Sequence, residues 1–214
     1  AQVFANILEN RGVSVGRVSR GRAPDSAKEL AMVESATVGE MVQRMLTESD
    51  NDVAESLGHL VGKGLLNDGS FAGGARATSQ VLSRAGIDTQ DLALFDGSGL
   101  SPRNRVSPVT IADVLTDVAT ERRWTELAQG LAVAGVTGTL ANRFTTKATS
   151  SGRGVVRAKT GTLTGVAALA GIVIDADKRP IVFAIIGNNI TSQARARDTM
   201  DRIASQLAKC GCSS

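Results

Sequence analysis

Three short apolar runs, Val155–Thr160, Val166–Ile174 and Ile181–Ile186, follow one another late in the chain. They constrain the fold more than any other feature. None is long enough to cross a membrane. Between the second and third lies Asp175-Ala-Asp-Lys-Arg-Pro180, a run of turn formers that predicts a hairpin. Near-continuous apolar strands need cover on both faces. Gln193 to Lys209, with Met200, Ile203, Ala204 and Leu207 at helical spacing, predicts one covering helix.

The upstream residues predict more helices. Val3, Phe4, Ile7 and Leu8 share a helical face, and Gly12 suits the position after the helix end. Thr37 and Glu40 form a capping box ahead of Met41, Val42, Met45 and Leu46. A helix with Val53, Leu57, Leu60 and Val61 inward follows, and another runs from Ala75 to Ala85, stopped by Gly86. Ser107 before Pro108 opens a helix to about Thr120. Gly69–Gly74 and Gly135–Gly138 read as loops, the second followed by a short helix around Leu140. Ser150–Gly154 reads as flexible, and Val13–Val18 and Leu30–Val33 as strands. With strands at both ends and helices between, residues 1–214 are expected to form one α+β domain whose ends share an antiparallel sheet flanked by helices.

Composition excludes several functions. The chain has 24 Lys and Arg against 21 Asp and Glu, a net charge of +3, too mild for nucleic acid. One histidine, His59, and two cysteines, Cys210 and Cys212, are too few for a zinc site, and no metal or other cofactor is expected. His59 falls off the apolar face of its helix and is expected in solvent. A bridge between the cysteines would close a very small, strained ring, so a tail with free thiols is expected. No transmembrane run and no leader opens the chain, and the start of the gene product is expected upstream.

Three short sequences stand out, the second read as a structural loop and not a catalytic one. Ser49-Asp50-Asn51 falls between two helices, Asp96-Gly-Ser-Gly-Leu-Ser101 in a loop, and Lys159-Thr160-Gly161-Thr162 at a strand end. S-x-N and K-T-G are partners of S-x-x-K in serine acyl-transfer sites. Each tripeptide alone is weak evidence. Ser49 and Asn51 are also residue types that end one helix and cap the next, and Lys159 could be a surface strand lysine.

Longer segments sharpen the match: MLTESDNDVAESLG from Met45, DGSGLSPRNRVSP from Asp96, AVAGVTGTLANRF from Ala132 and VRAKTGTLTGVAALAG from Val156. Together they resemble the D-alanyl-D-alanine carboxypeptidase/endopeptidase family of low-molecular-mass class C penicillin-binding proteins, the penicillin-binding protein 4 type. The resemblance runs through nearly the whole chain. It implies a penicillin-binding/β-lactamase-like fold and an acyl-enzyme reaction on peptidoglycan stem peptides in the bacterial cell envelope, with β-lactams as further ligands.

The departure from the family is S-x-x-K. The residue three before each lysine is Asp25, Leu60, Phe144, Val156, Asp175 or Gln206, never serine. The resemblance therefore implies the C-terminal part of a transpeptidase-like domain, incomplete without an N-terminal segment that bears the nucleophile, the accessory domains being inserted between. That segment could reach it as a separate chain. By resemblance, Ser49 relays a proton to the leaving group, Asn51 bonds the substrate amide, and Lys159 supplies positive potential. Thr160 and Thr162 offer hydroxyls to the substrate carboxylate, and Gly161 allows close approach. The chain alone is expected to be inactive. A non-catalytic binding module fits the missing serine literally, and a β-lactamase-related hydrolase fits the two tripeptides but not the DGSGLS and GTLANRF segments.

Overall fold

The computed structural model describes residues 1–22 and 24–211; Cys212 lies outside the described residues. The chain divides into two units, Ala1–Ser35 and Ala36–Ser214.

The first unit has one helix, α1 (Gln2–Asn10), closed by Gly12 at φ 79°. Val13–Val18 and Leu30–Val33, expected as strands, form none. Leu30 and Val33 are almost fully exposed. An alternating or apolar run becomes a strand only when a neighbour takes up its backbone hydrogen bonds, and here no strand pairs with it. Among the described residues the sheet is built wholly from residues 132–187, and the described parts of the chain ends do not share it.

The second unit runs α2 (Val38–Glu48), α3 (Asn51–Leu66), α4 (Phe71–Arg84), α5 (Pro108–Thr120) and α6 (Thr125–Gly130). There follow strands β1 (Ala132–Val133), β2 (Val156–Leu163), β3 (Val166–Ile174) and β4 (Pro180–Gly187), then helix α7 (Gln193–Leu207). The starts of α2 and α5 form as their residues dictate. Thr37 Oγ1 accepts from the Glu40 N–H while Glu40 accepts from the Thr37 N–H. Ser107 accepts from the Thr110 N–H, with Pro108 at the first helical position.

The sheet is antiparallel throughout, in the order β1-β2-β3-β4. Alternation sends Val156, Ala158, Leu169, Val173 and Phe183 to one face, where Met200 and Ala204 of α7 cover them. Ala170, Ile172, Val182 and Ala184 point the other way, against Leu115 and Val118 of α5 and Leu127 of α6. β3 is therefore apolar along nearly its whole length because both of its faces are covered.

Several local expectations change. Gly73 and Gly74 are not in a loop; they lie in the first turn of α4. A Cβ on Gly62 would stand 2.6 Å from the Gly74 nitrogen, and one on Gly74 2.7 Å from the Gly58 oxygen. These glycines let two helix backbones touch, a packing use that looks like loop composition in sequence. Leu60, Val61 and Ile203, expected inward, are at least a third exposed. Ser150–Gly154 is not loose: Ser150–Gly152 forms a 3-10 turn, and Ser151 Oγ donates to the Ser205 carbonyl at 2.8 Å. His59 is only partly in solvent; its ring meets Phe71 edge-on with centroids 4.8 Å apart, and its Nδ1 is buried.

Candidate active site

Ser49-Asp50-Asn51 is the corner between α2 and α3. Ser49 takes a left-handed conformation, φ 60° and ψ 48°, which ends α2 and turns the chain at once into α3. The cap of α3 is Asp50, whose carboxylate accepts from the Val53 N–H at 3.1 Å. Capping thus falls to Asp50 and leaves the Ser49 hydroxyl for other use. Asn51 opens α3 with its residue exposed.

The Ser49 hydroxyl accepts from Lys159 Nζ at 2.7 Å, across 110 residues of sequence. The same ammonium donates to the Thr160 carbonyl at 2.9 Å. Lys159 stands on the α5 face of β2, in the wall of an apolar cavity of about 360 Å³ lined also by Leu46, Leu82, Ile111, Leu115 and Ala170. With little water or polar surface there to solvate the charge, burial lowers its pKa below 10.5.

Alternation puts Thr160 and Thr162 on the opposite face of β2. Thr160 Oγ1 donates to Thr139 Oγ1 at 3.0 Å, tying the strand to the 3-10 turn Gly138–Leu140. That turn must lie very close to the end of α2. Gly138 has φ 52°, and a Cβ there would stand 2.1 Å from the Thr47 carbonyl oxygen. Thr47 in turn donates to the Gly130 carbonyl at 2.8 Å. The elements carrying Ser49 and Lys159 are thus braced by contacts one to two residues from each. Thr162 Oγ1 accepts from Arg197 Nη2 of α7 at 3.4 Å. β1 pairs only with Arg157 and Ala158, so from Lys159 onward the outer edge of β2 has no strand beside it among the described residues.

The loop from Asp96 to Ser101 is strapped to α3. Glu55 accepts from the N–H groups of Gly97 at 2.9 Å and Ser98 at 3.1 Å, while Asp96 accepts from Gly99 N–H and Asn104 Nδ2. Its role is architectural. Beside α7, Arg143 forms a two-pronged pair with Asp201, its Nη2 donating at 2.6 Å and its Nε at 3.2 Å, and Nη2 also donates to the Arg197 carbonyl at 3.4 Å.

Of the residues singled out in the sequence, Ser49 and Lys159 are in direct contact. Asn51 lies two residues beyond Ser49. Thr160, Gly161 and Thr162 line the free edge of β2. The sequence reading gave no chemistry to Thr139, and Arg197 went unremarked: it sits among alternating charges in a surface helix, with no local signal to set it apart. No group of residues able to hold a metal ion occurs among the described residues. Nor is any described helix long and apolar enough to cross a membrane.

Comparison with known proteins accords with this geometry. The model of the D-Ala-D-Ala carboxypeptidase 3 (S13) family matches residues 1–210. Carboxypeptidase DacB of Mycolicibacterium smegmatis is 41% identical over 186 residues, 86% of this chain and 40% of the relative. The D-alanyl-D-alanine carboxypeptidase of Actinomadura sp. is 36% identical over 216 residues, 97% of this chain and 39% of the relative. A crystal structure of penicillin binding protein 4 (dacB) from Haemophilus influenzae, complexed with a novel beta-lactam, superposes with a TM-score of 0.80 at 28% identity, covering 98% of this chain and 50% of that one. The chain spans about two fifths of the length of these curated relatives.

Proposed function

Since this chain belongs to the D-Ala-D-Ala carboxypeptidase 3 (S13) family, we propose that it forms the leaving-group and carboxylate side of a serine-type D-Ala-D-Ala carboxypeptidase/endopeptidase site. The substrate is a peptidoglycan stem peptide, the setting is the bacterial cell envelope outside the cytoplasm, and β-lactams acylate the same centre. The nucleophilic serine and its lysine base come from a segment outside these 214 residues. The observation that carries the reading is the contact between Lys159 Nζ and Ser49 Oγ.

The geometry supports the following chemistry. The external serine attacks the carbonyl of the penultimate residue, and the peptide bond breaks to give an acyl-enzyme and a free amine. That amine needs a proton. Ser49 can pass one while accepting from Lys159, whose lowered pKa brings it closer to sharing its own. Asn51 orients the substrate amide. The unpaired edge of β2 lets an extended peptide lie alongside, with Gly161 permitting close approach and the Thr162 N–H donating to the oxyanion. Thr162 gives its hydroxyl to the terminal carboxylate, and Thr160 does so by turning its own away from Thr139. Water then releases the acyl group.

The test is mass spectrometry after incubation with a labelled penicillin. The complete gene product should carry one adduct, on a serine outside this chain, and the 214 residues alone should carry none. An adduct on Ser49, or no adduct on the complete product, would overturn the assignment.

A further inference from the structure

We infer that Arg197 of α7 is a second cation of this site and receives the free carboxylate of the substrate at the outer end of β2. The inference rests on the function proposed above and adds a residue to it.

Two cations near the outer end of β2, Lys159 and Arg197, face opposite ways. Lys159 turns toward α2, and its hydrogen bonds to Ser49 Oγ and to the Thr160 carbonyl occupy it within the unit. Thr160 is also engaged, its hydroxyl donating to Thr139. Thr162 is the exposed member of the pair, and what reaches its hydroxyl is Arg197 Nη2 at 3.4 Å.

Arg197 has no acidic partner among the described residues, whereas Arg143 pairs with Asp201 and Arg202 with Asp198. Arg195 is likewise without an ion pair among the described residues, but no side-chain hydrogen bond joins it to β2 there, and one joins Arg197. Arg197 makes no ion pair among the described residues, and its side chain donates a hydrogen bond to the Thr162 hydroxyl. A guanidinium held at a strand edge without a carboxylate is suited to take one from a ligand, because its planar fork donates two parallel hydrogen bonds to a carboxylate.

Its mounting is rigid. Gln193, four residues earlier and on the same face of α7, donates from Nε2 to the carbonyls of Leu163 at 2.9 Å and Val166 at 3.1 Å. Those two carbonyls close the β2–β3 turn. The helix that carries the guanidinium therefore also holds the end of the strand that carries Thr162.

The experiment uses the complete gene product and two peptides, one ending in a free D-Ala carboxylate and one in the corresponding D-Ala amide. Arg197→Gln should lower kcat/KM for the free acid by at least about tenfold, the effect of losing one charge-assisted hydrogen bond. It should leave the amide within about twofold, with an unchanged Tm. Arg197→Lys should recover part of the loss. Equal rates for wild type and Arg197→Gln on the acid, or equal losses on both peptides, overturn the inference alone. A wild-type product that cleaves neither peptide and is not acylated by penicillin overturns the function on which it rests, and the inference with it.

Discussion

Lys159 Nζ lies 2.7 Å from Ser49 Oγ, although the two residues are 110 positions apart. If this contact moves the proton to the leaving group, Lys159→Ala in the complete protein should cost roughly 1.5–3 kcal/mol of transition-state stabilisation, about 10–100-fold in kcat/KM. Ser49→Ala should act on the same step, so the double variant should lose less than the sum of the singles. Steady-state hydrolysis of a D-Ala-D-Ala peptide by the four proteins measures the coupling; strictly additive losses would separate the two roles.

The buried ammonium also predicts a pH effect. Burial lowers the Lys159 pKa in the folded chain below its unfolded value near 10.5. Between the two values the unfolded chain binds the proton and the folded chain does not. Stability therefore rises with pH across that window, and the cost of burying the charge is present in full below it. Lys159→Met abolishes this dependence. Denaturant titrations should show the stability difference, variant minus wild type, falling as pH climbs through the alkaline range.

Arg143→Met should be among the most damaging single changes. It would leave the Asp201 carboxylate, only 8% exposed, without its bidentate partner. Breaking such a pair costs on the order of 3 kcal/mol. Burial raises the Asp201 pKa even with Arg143 in place. The folded carboxyl therefore holds its proton to higher pH than the unfolded one, and its contribution to stability falls as pH rises through that interval. Removing Arg143 widens the interval. Urea midpoints should show a loss that is large at neutral pH and smaller as pH drops into the carboxyl range.

Gly138→Ala tests the brace beneath the site. Its Cβ would meet the Thr47 carbonyl oxygen at 2.1 Å, and its φ of 52° is already unfavourable for alanine. The left-handed backbone alone costs roughly 1 kcal/mol, and relief of the clash must move α2 or the 3-10 turn. Thermal unfolding should show a fall in Tm well beyond that expected from the backbone cost. In the complete protein, kcat/KM should fall with it, because Thr139 and Thr160 are displaced together.

How much of this was legible in sequence depends on how local the cause is. The capping box at Thr37 and Glu40, the Ser107-Pro108 helix start and the hairpin joining β3 to β4 formed as read, because each is decided by neighbouring residues. Val13–Val18 and Leu30–Val33 failed as strands because a strand needs a partner that local pattern does not specify. Gly73 and Gly74 failed as loop because close helix contact and turn use the same residue. At the site, Ser49 and Lys159 were readable through the family's segments. Arg197 was not, since its importance comes only from a helix folding back across the end of β2.

The left-handed backbone of Ser49 has a consequence for sequence drift. Glycine tolerates that conformation without penalty and asparagine with little, whereas serine holds it at a cost of about 1 kcal/mol. A glycine here would firm up the fold and remove the hydroxyl that Lys159 touches. Selection for stability and selection for chemistry therefore pull this one position in opposite directions. Lineages released from the need to cleave peptide should exchange this serine for glycine or asparagine early, while the sheet and its helices are still intact.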